Sequence, residues 1–407
     1  MPIWIALLLL LIRPSVGLQP MREMPAVGAV WIFYFLVQGA SILFSQNPLR
    51  SLICLRGDWP VLFLPIFLGI LQVPRARRWG LAALGVSAAL SGLLGLWQHA
   101  TGSDPLGRSL LEPDAAGRFL AVGSLRGHLT YAGTLMTVCA AAFGLAISRS
   151  GRPRLLWLVT GLATGAGLLA SYSRSAWLGA VAGGLLLWIL AWRARGEIHL
   201  PGGRRSLLAG AWLVAAAALL VFAVTPGLRG RFLEMADVGS LPRLRLWATA
   251  LRIFADFPVF GAGLGEWKEL FPLYRVDFPY MATGHPHSDL LNVLVHSGFA
   301  GGLAFVSLWV ALGRRLARGA RGAGPALWGG PVLATFLVAG LAQCYFTDEE
   351  PAGVFWVLLA AALSEGTARH RARRSGSAPG RSPAPPSSPR PSLGRRLERG
   401  LKARLLP

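Results

Sequence analysis

Three consecutive pieces decide the class of fold. They are the run 155–170, LLWLVTGLATGAGLLA, the turn Ser171-Tyr172-Ser173-Arg174, and the run 175–192, SAWLGAVAGGLLLWILAW. Two apolar runs lie on either side of a four-residue polar turn, and basic residues close both far ends, at 149–154 and 193–205. Crossing a hydrocarbon layer ~30 Å thick takes roughly 17–25 apolar residues as a helix. Runs of this kind recur along the whole chain. No water reaches that layer to satisfy the backbone, and nothing alternates at period two as a barrel strand would, so helices are the spanning form. The composition agrees. Of 407 residues, 54% are hydrophobic and 14% charged, too little charge to cover a soluble fold of this size.

The net charge of +22 invites a nucleic-acid reading. Its distribution excludes one: the basic residues sit in short loops beside apolar runs and in the C-terminal tail, the pattern of cytoplasmic loops. Cys54, Cys139 and Cys344 lie far apart, with no pair at metal-ligand spacing, so neither a disulfide framework nor a zinc site is indicated. The first apolar run lacks a basic leader and a small-residue cleavage site, and it reads as a helix rather than a signal peptide.

Cytoplasmic anchors at 75–78, 149–154, 193–205, 314–321 and after about 368 divide the chain. Between consecutive anchors stand two apolar runs each time, as hairpins require: 79–97 with 127–148, 155–170 with 175–192, 206–225 with 290–313, and 327–345 with 351–365. Runs 3–17, 26–44 and 59–73 precede them, giving about eleven helices. The loop 45–58 then falls outside while carrying Arg50 and Arg56, against the charge rule, and a re-entrant segment there would restore parity.

Four outward segments follow. One is the polar loop 98–126, with Asp104, Arg108, Glu112, Asp114, Arg118 and Arg126. The others are the turn at Tyr172, the short acidic turn 346–350, and the longest, 226–288. Within the longest, Trp247, Ala250, Leu251 and Phe254 share a helical face with Arg252 and Asp256 off it, which predicts an amphipathic helix on the outer interface. Pro258 ends it, and Gly261, Gly263 and Gly265 give a flexible turn. Residues 1–366 form the membrane domain, and 367–407 a basic, Pro/Ser-rich cytoplasmic tail expected to be disordered.

Candidate chemistry lies on the outward side. Arg174 has no acidic neighbour in sequence; it either snorkels to lipid phosphates or clamps an anion with its planar fork. Arg243 and Arg245, at the start of the amphipathic helix, carry the same two readings. In Gly284-His285-Pro286-His287-Ser288-Asp289, two histidines at i and i+2 lack a third ligand at helical spacing and the His-Glu-x-x-His of zinc proteases, so no metal is expected. A histidine at the mouth of a membrane helix suits proton transfer from a hydroxyl.

These pieces resemble a family. Arg174-x-x-x-Leu178 follows a small, polar turn, and His287-Ser288 is followed after nine residues by Gly298-Phe299-Ala300-Gly301. Between them stand Arg243-Leu244-Arg245-Leu246-Trp247 and Asp256-Phe257-Pro258-Val259-Phe260-Gly261-Ala262-Gly263. The chain is similar here, over 170–301, to the O-antigen ligase/polymerase family of bacterial membrane glycosyltransferases. The resemblance implies an all-α polytopic fold of 11–12 helices in the bacterial inner membrane, with one long periplasmic loop, 226–288, and a periplasmic active site. It implies transfer of a glycan from an undecaprenyl-diphosphate carrier to an acceptor, either the lipid A core or a growing polysaccharide, with inversion and with no metal or cofactor. By motif, His287 is the catalytic histidine and Arg174 and Arg243 hold the diphosphate, with Arg245 competing for the latter place. His287 acts as base or touches the phosphate. Asp289 orients it or caps the following helix, His128 lines the acceptor path, and His285 is structural. The chain departs from the family in being one helix short and in having a compact outer loop.

Other classes were weighed on the same residues. A transporter or flippase of lipid-linked glycans would use the same basic surface without chemistry, but internal repeats and charges within helices are not evident. A hydrolase would need paired carboxylates from scattered acids such as Glu234, Asp237, Glu266 and Asp277.

Overall fold

The computed structural model describes residues 19–107, 111, 113, 117, 119–194, 241–276, 284–318 and 324–374. The run 3–17, the run 206–225, Arg108, Glu112, Asp114, Arg118, Glu234, Asp237, Asp277 and the tail from 375 lie outside the described residues. Among those described there is no β-strand, and one isolated bridge joins Pro113 to Phe119.

The helices in chain order are α1 (Pro25–Leu43), α2 (Pro48–Cys54), α3 (Phe63–Leu71), α4 (Pro74–Thr101), α5 (His128–Ser148), α6 (Arg152–Ala170), α7 (Arg174–Arg193), α8 (Leu241–Asp256), α9 (Trp267–Tyr274), α10 (Asp289–Arg318), α11 (Ala326–Gly340) and α12 (Glu349–Arg374), with a 3₁₀ turn at Leu55–Leu62. Seven of them, α1, α4, α5, α6, α7, α10 and α12, are long and apolar enough to cross a membrane, and Pro60–Leu71 and α11 are shorter apolar helices. Every apolar run read from the sequence within the described residues contains a helix, though α11 stops at Gly340, short of the end read at 345. The protein is an all-α polytopic membrane protein. Its compact unit is Met1–Thr367; a second unit, Ala368–Pro407, takes in the end of α12.

Burial sorts the spans. In α5 and α12, 72% and 78% of the apolar window is buried, against 28–44% in α1, α4, α6 and α7. The outer helices keep Leu90, Leu93, Val159, Leu162, Val181 and Leu185 exposed. In water such a belt would be a liability; against acyl chains it is what a spanning helix presents. Since lipid is as apolar as leucine, helices associate there through close backbone approach at small residues. A Cβ on Gly179 of α7 would meet the Thr335 carbonyl of α11 at 2.5 Å. At the basic end, Arg149 pairs with the buried Glu365 at 3.0 Å, and Arg315 donates to Thr367 at 2.8 Å.

At the opposite end the four outward segments meet. The buried Gln98 holds the loop after α4, accepting from Gly123 N–H (2.7 Å) and Val122 N–H (3.1 Å) and donating to the Gly123 carbonyl (2.9 Å) and Asp104 (3.1 Å). Thr130, on α5, donates to Asp348 at 2.7 Å. The segment 45–54 also reaches this end, its Gln46 N–H on the Ala262 carbonyl and its Ser51 hydroxyl on the Leu264 carbonyl. That explains the exception to the charge rule: Arg50 is paired with Glu269 (3.0 Å) and Glu266 (3.6 Å).

Helix α10 is broken at Gly298, where φ is 62° and ψ −158°. A break frees carbonyls above it and N–H groups below it, and at membrane depth each must find a partner. The segment after α8 supplies them. Ala262 and Gly263 donate to the Val295 and His296 carbonyls at 2.8 and 3.1 Å, and Phe299 and Ala300 donate to the Pro258 and Val259 carbonyls at 2.7 and 3.1 Å. From α1, Ser41 donates to the His296 carbonyl, and Gln38 accepts from Ser297, both at 2.6 Å.

Helix α8 also has a face turned into the protein. It is Leu246, Thr249, Ala250 and Ile253, packed with Ala262, Trp267, Phe271 and Val295. Leu251, on the apolar face read from the sequence, is exposed, as is Leu244.

Gly298→Ala is expected to destabilise the protein: a Cβ there would sit about 2.5 Å from the Gly261 nitrogen, on a backbone that L-residues rarely adopt. The strain alone is worth roughly 1–3 kcal/mol. Gly313→Ala, whose Cβ meets only a Leu333 methyl at 3.6 Å, should be neutral or mildly stabilising, as alanine is the better helix former. Thermal unfolding in detergent checks the pair; equal melting points would contradict the assignment of the break.

Candidate functional site

The turn between α6 and α7 is short and strained. Tyr172 is buried with φ 53°, its ring lying against Trp177 and His99. Holding a bulky residue in the left-handed region takes packing that determines it from several sides. The turn delivers Arg174, half-buried, as the first residue of α7. A cation at a helix N-terminus is opposed by the helix dipole, so the place is electropositive and favours an anion. On either side of it, Ser173 and Ser175 are hydrogen-bonded to the hydroxyl of buried Tyr345, at 3.4 and 3.2 Å.

His287 has the same backbone signature, φ 52°. Its N–H donates to His285 Nδ1 at 3.3 Å, and the two rings stand edge to face with centroids 4.5 Å apart. His285 is thereby a support for His287. The His287 ring is held in turn by Gln343: its Nδ1 bonds the amide Oε1 of that buried side chain. An amide oxygen only accepts, so Nδ1 carries the hydrogen and Nε2 keeps its lone pair for the site.

Ser288 starts α10, its hydroxyl placed 3.5 Å from the Leu291 N–H. Asp289, read as an orienter of His287 or a helix cap, sends its buried carboxylate elsewhere: it accepts the Phe346 N–H at 2.9 Å. It thus fastens the segment 341–348, which carries Gln343, to the start of α10.

Arg243, near the start of α8, lies close enough for its charge to bear on both His287 and Tyr345. Burial holds the His287 pKa below the ordinary histidine value, the Gln343 bond opposes that, and Arg243 lowers it further. Burial, with His287 and His296 adding to it, brings His285 down to about 4. Both rings are therefore neutral at neutral pH. Arg243 and His287, far apart in sequence, come together beside Gln343 and Tyr345, and the turn that carries Arg174 reaches the Tyr345 hydroxyl through Ser173 and Ser175. Arg245, two residues along α8, leaves the helix on another side from Arg243. His128 begins α5 and lines a cavity of about 420 Å³ next to His285 and Gln343. Among the described residues no group of three His, Cys, Asp or Glu is placed to hold a metal ion.

Residues 158–306 match the family model described as O-Antigen ligase. Over this stretch the chain is similar to the O-antigen ligase family. The matched stretch contains Arg174, Arg243, Arg245, His287, Asp289, Gly298 and Gly301, and so both halves of the broken helix and the segment inserted into it. Comparison with curated proteins finds no match.

Gln343 and Tyr345 lie beyond the matched stretch, and sequence reasoning passed over both by assigning 327–345 to a single helix. Helix α11 stops at Gly340 instead, and the rest of the run turns back into the site. A signal was available: Gln343 is an amide inside an apolar run, a costly placement unless it is hydrogen-bonded.

The His287 ring is expected to titrate below the ordinary histidine value of ~6.5, followed by NMR on histidine-labelled protein against a His287→Gln blank. Arg243→Gln should move that titration upward, because it removes a like charge. Gln343→Glu should move it upward as well, since a carboxylate on Nδ1–H favours the imidazolium. No movement in either variant would contradict the geometry.

Proposed function

We propose that the protein transfers a glycan from an undecaprenyl-diphosphate carrier to a hydroxyl of an acceptor sugar, as an O-antigen ligase or a related surface-polysaccharide ligase or polymerase. It would do so in the bacterial inner membrane with the site facing the periplasm. The observation that carries the reading is a fixed histidine under the charge of Arg243, beside a tyrosine that the Arg174 turn also touches, at one end of a membrane bundle.

The donor brings its own leaving group, so the protein needs no nucleophile of its own. The acceptor oxygen attacks the anomeric carbon from the face opposite the diphosphate, the bond from that carbon to the phosphate oxygen breaks, and the electron pair leaves with the diphosphate. The anomeric centre inverts. Arg174 and Arg243 hold the charge that grows on the departing oxygens, an effect worth more in a water-poor site than in bulk. His287 Nε2 takes the proton of the attacking hydroxyl, and a depressed pKa keeps that nitrogen free to accept it at neutral pH. No step in this scheme calls for a metal. His285, Gln343 and Asp289 position the base rather than touch the reacting atoms. The basic tail 367–407 is proposed as a cytoplasmic extension outside this chemistry.

His287→Ala, Arg174→Ala and Arg243→Ala are each expected to lower glycan transfer by roughly 100-fold or more, with membrane insertion and expression unchanged. The check is complementation of a transfer-deficient strain, backed by assay of the purified protein with donor and acceptor. Full transfer by His287→Ala would overturn the reading. As pH falls, the rate should hold through ~6.5 and decline only below it, where His287 takes up its proton.

A further inference from the structure

The cavity beside His287 is lined by the start of α5, by the segment 341–348 and by His285. Its polar groups come from His128, Thr130, His285, Gln343, Thr347 and Asp348, and none of its lining residues is a lysine or arginine. Asp348 is fixed there by the hydroxyl of Thr130 at 2.7 Å. Burial, with Glu350 and Glu349 adding to it, pushes its carboxyl up to about 6, so it is ionised at neutral pH. Two of the lining residues, His285 and Gln343, are the same side chains that hold His287, so the cavity ends within one side chain of the base.

The charged groups near His287 are of both signs. Arg243 bears on the ring and on Tyr345, and the Arg174 turn reaches the Tyr345 hydroxyl. That side suits a diphosphate. A cavity with a carboxylate and no cation opposes one, by the repulsion of like charges out of bulk water. It fits a neutral ligand dense in hydroxyls, because an ionised carboxylate and an imidazole nitrogen accept the hydrogens that sugars donate. At about 420 Å³ it falls within the usual range of small-ligand sites, roughly 300–1,000 Å³.

We propose that this cavity is the acceptor subsite, in which Asp348, with Thr130 and His128, grips hydroxyls of the acceptor's terminal sugar and turns the attacking hydroxyl toward His287 Nε2. The inference rests on the glycosyl-transfer reading and adds to it the place where the second substrate binds. It seats the acceptor apart from the groups that hold the diphosphate, so that the two can lie on opposite faces of the anomeric carbon, as an in-line displacement requires. It also gives the acidic turn after α11 a purpose that its sequence alone did not suggest.

The test uses the full-length protein in nanodiscs, with an undecaprenyl-diphosphate-linked repeat unit as donor and lipid A-core lipopolysaccharide as acceptor probe. Asp348→Asn removes the charge while still accepting from Thr130. Thr347→Trp fills the cavity from its rim. Both should raise the acceptor KM by roughly tenfold or more, the scale of a lost hydrogen bond to a charged group, and leave the donor KM unchanged. Saturation-transfer NMR should show core oligosaccharide bound to the wild type without donor, and not bound to Thr347→Trp. An unchanged acceptor KM in both variants, or a donor KM that rises with it, overturns the subsite. A wild-type protein that transfers nothing yet binds core oligosaccharide in a Thr347-dependent way supports the subsite and strikes the transfer reading instead.

Discussion

A helix that breaks inside a membrane creates a debt of unpaired backbone groups, and in α10 the settlement of that debt organises the rest of the molecule. With no water at that depth, the carbonyls of Val295 and His296 and the N–H groups of Phe299 and Ala300 must be met by protein. The segment 258–263 meets all four, and α1 adds Ser41 at the His296 carbonyl. An extended segment can enter a helix this closely only where a side chain is missing and the backbone can turn left-handed, which is the conformation of Gly298. The spacing from His287 to Gly298 and Gly301 is then a mechanical relation. It sets how far above the insertion the base stands.

From that fastening the geometry of the site follows. The inserted segment is the C-terminal continuation of α8, so fixing 258–263 in α10 fixes the far end of the helix that carries Arg243. The apolar cluster of Leu246, Ala250, Ile253, Trp267, Phe271 and Val295 then sets the roll of α8 about its own axis. On the other side, Asp289 ties the first turn of α10 to Phe346, which places Gln343 against His287 and Tyr345 beneath the Arg174 turn. Left-handed residues stand at both points of delivery, Tyr172 and His287. Such strain persists where surrounding contacts over-determine it, here aromatic packing for one and the His285 nitrogen for the other.

What the sequence made legible divides along physical lines. Spanning helices were readable because run length and basic flanks act locally and repeat, so every described run holds a helix. Arg174, Arg243 and His287 were readable because short local patterns surround them. Gln343, Tyr345 and the roll of α8 were not. Where α11 ends depends on a turn after Gly340 that Asp289 stabilises from 57 residues away, and no local pattern announces it. The buried face of α8 depends likewise on what packs against it, which the apolar pattern of the helix by itself does not state. Arg50 offended the charge rule until its partners Glu266 and Glu269 appeared from across the fold.

The position of His287 also bears on a tension in the proposed transfer, which asks one side chain to serve two substrates of unlike charge. Next to arginines alone, a buried imidazole would be a poor base, since the protonated form it must reach during transfer is disfavoured by burial and by like charge together. Next to carboxylates alone, it would hold a proton at rest and be useless as an acceptor. Gln343 is the middle course. A neutral amide oxygen on Nδ1 fixes the tautomer and steadies the imidazolium as it forms, as the direction of its effect on the ring shows, without drawing a proton in beforehand as a carboxylate would. In the proposed transfer, the departing diphosphate would supply the negative charge at the moment the ring becomes positive. On that proposal the base is neutral before the reaction and compensated during it, because the charge that balances it would arrive with the substrate.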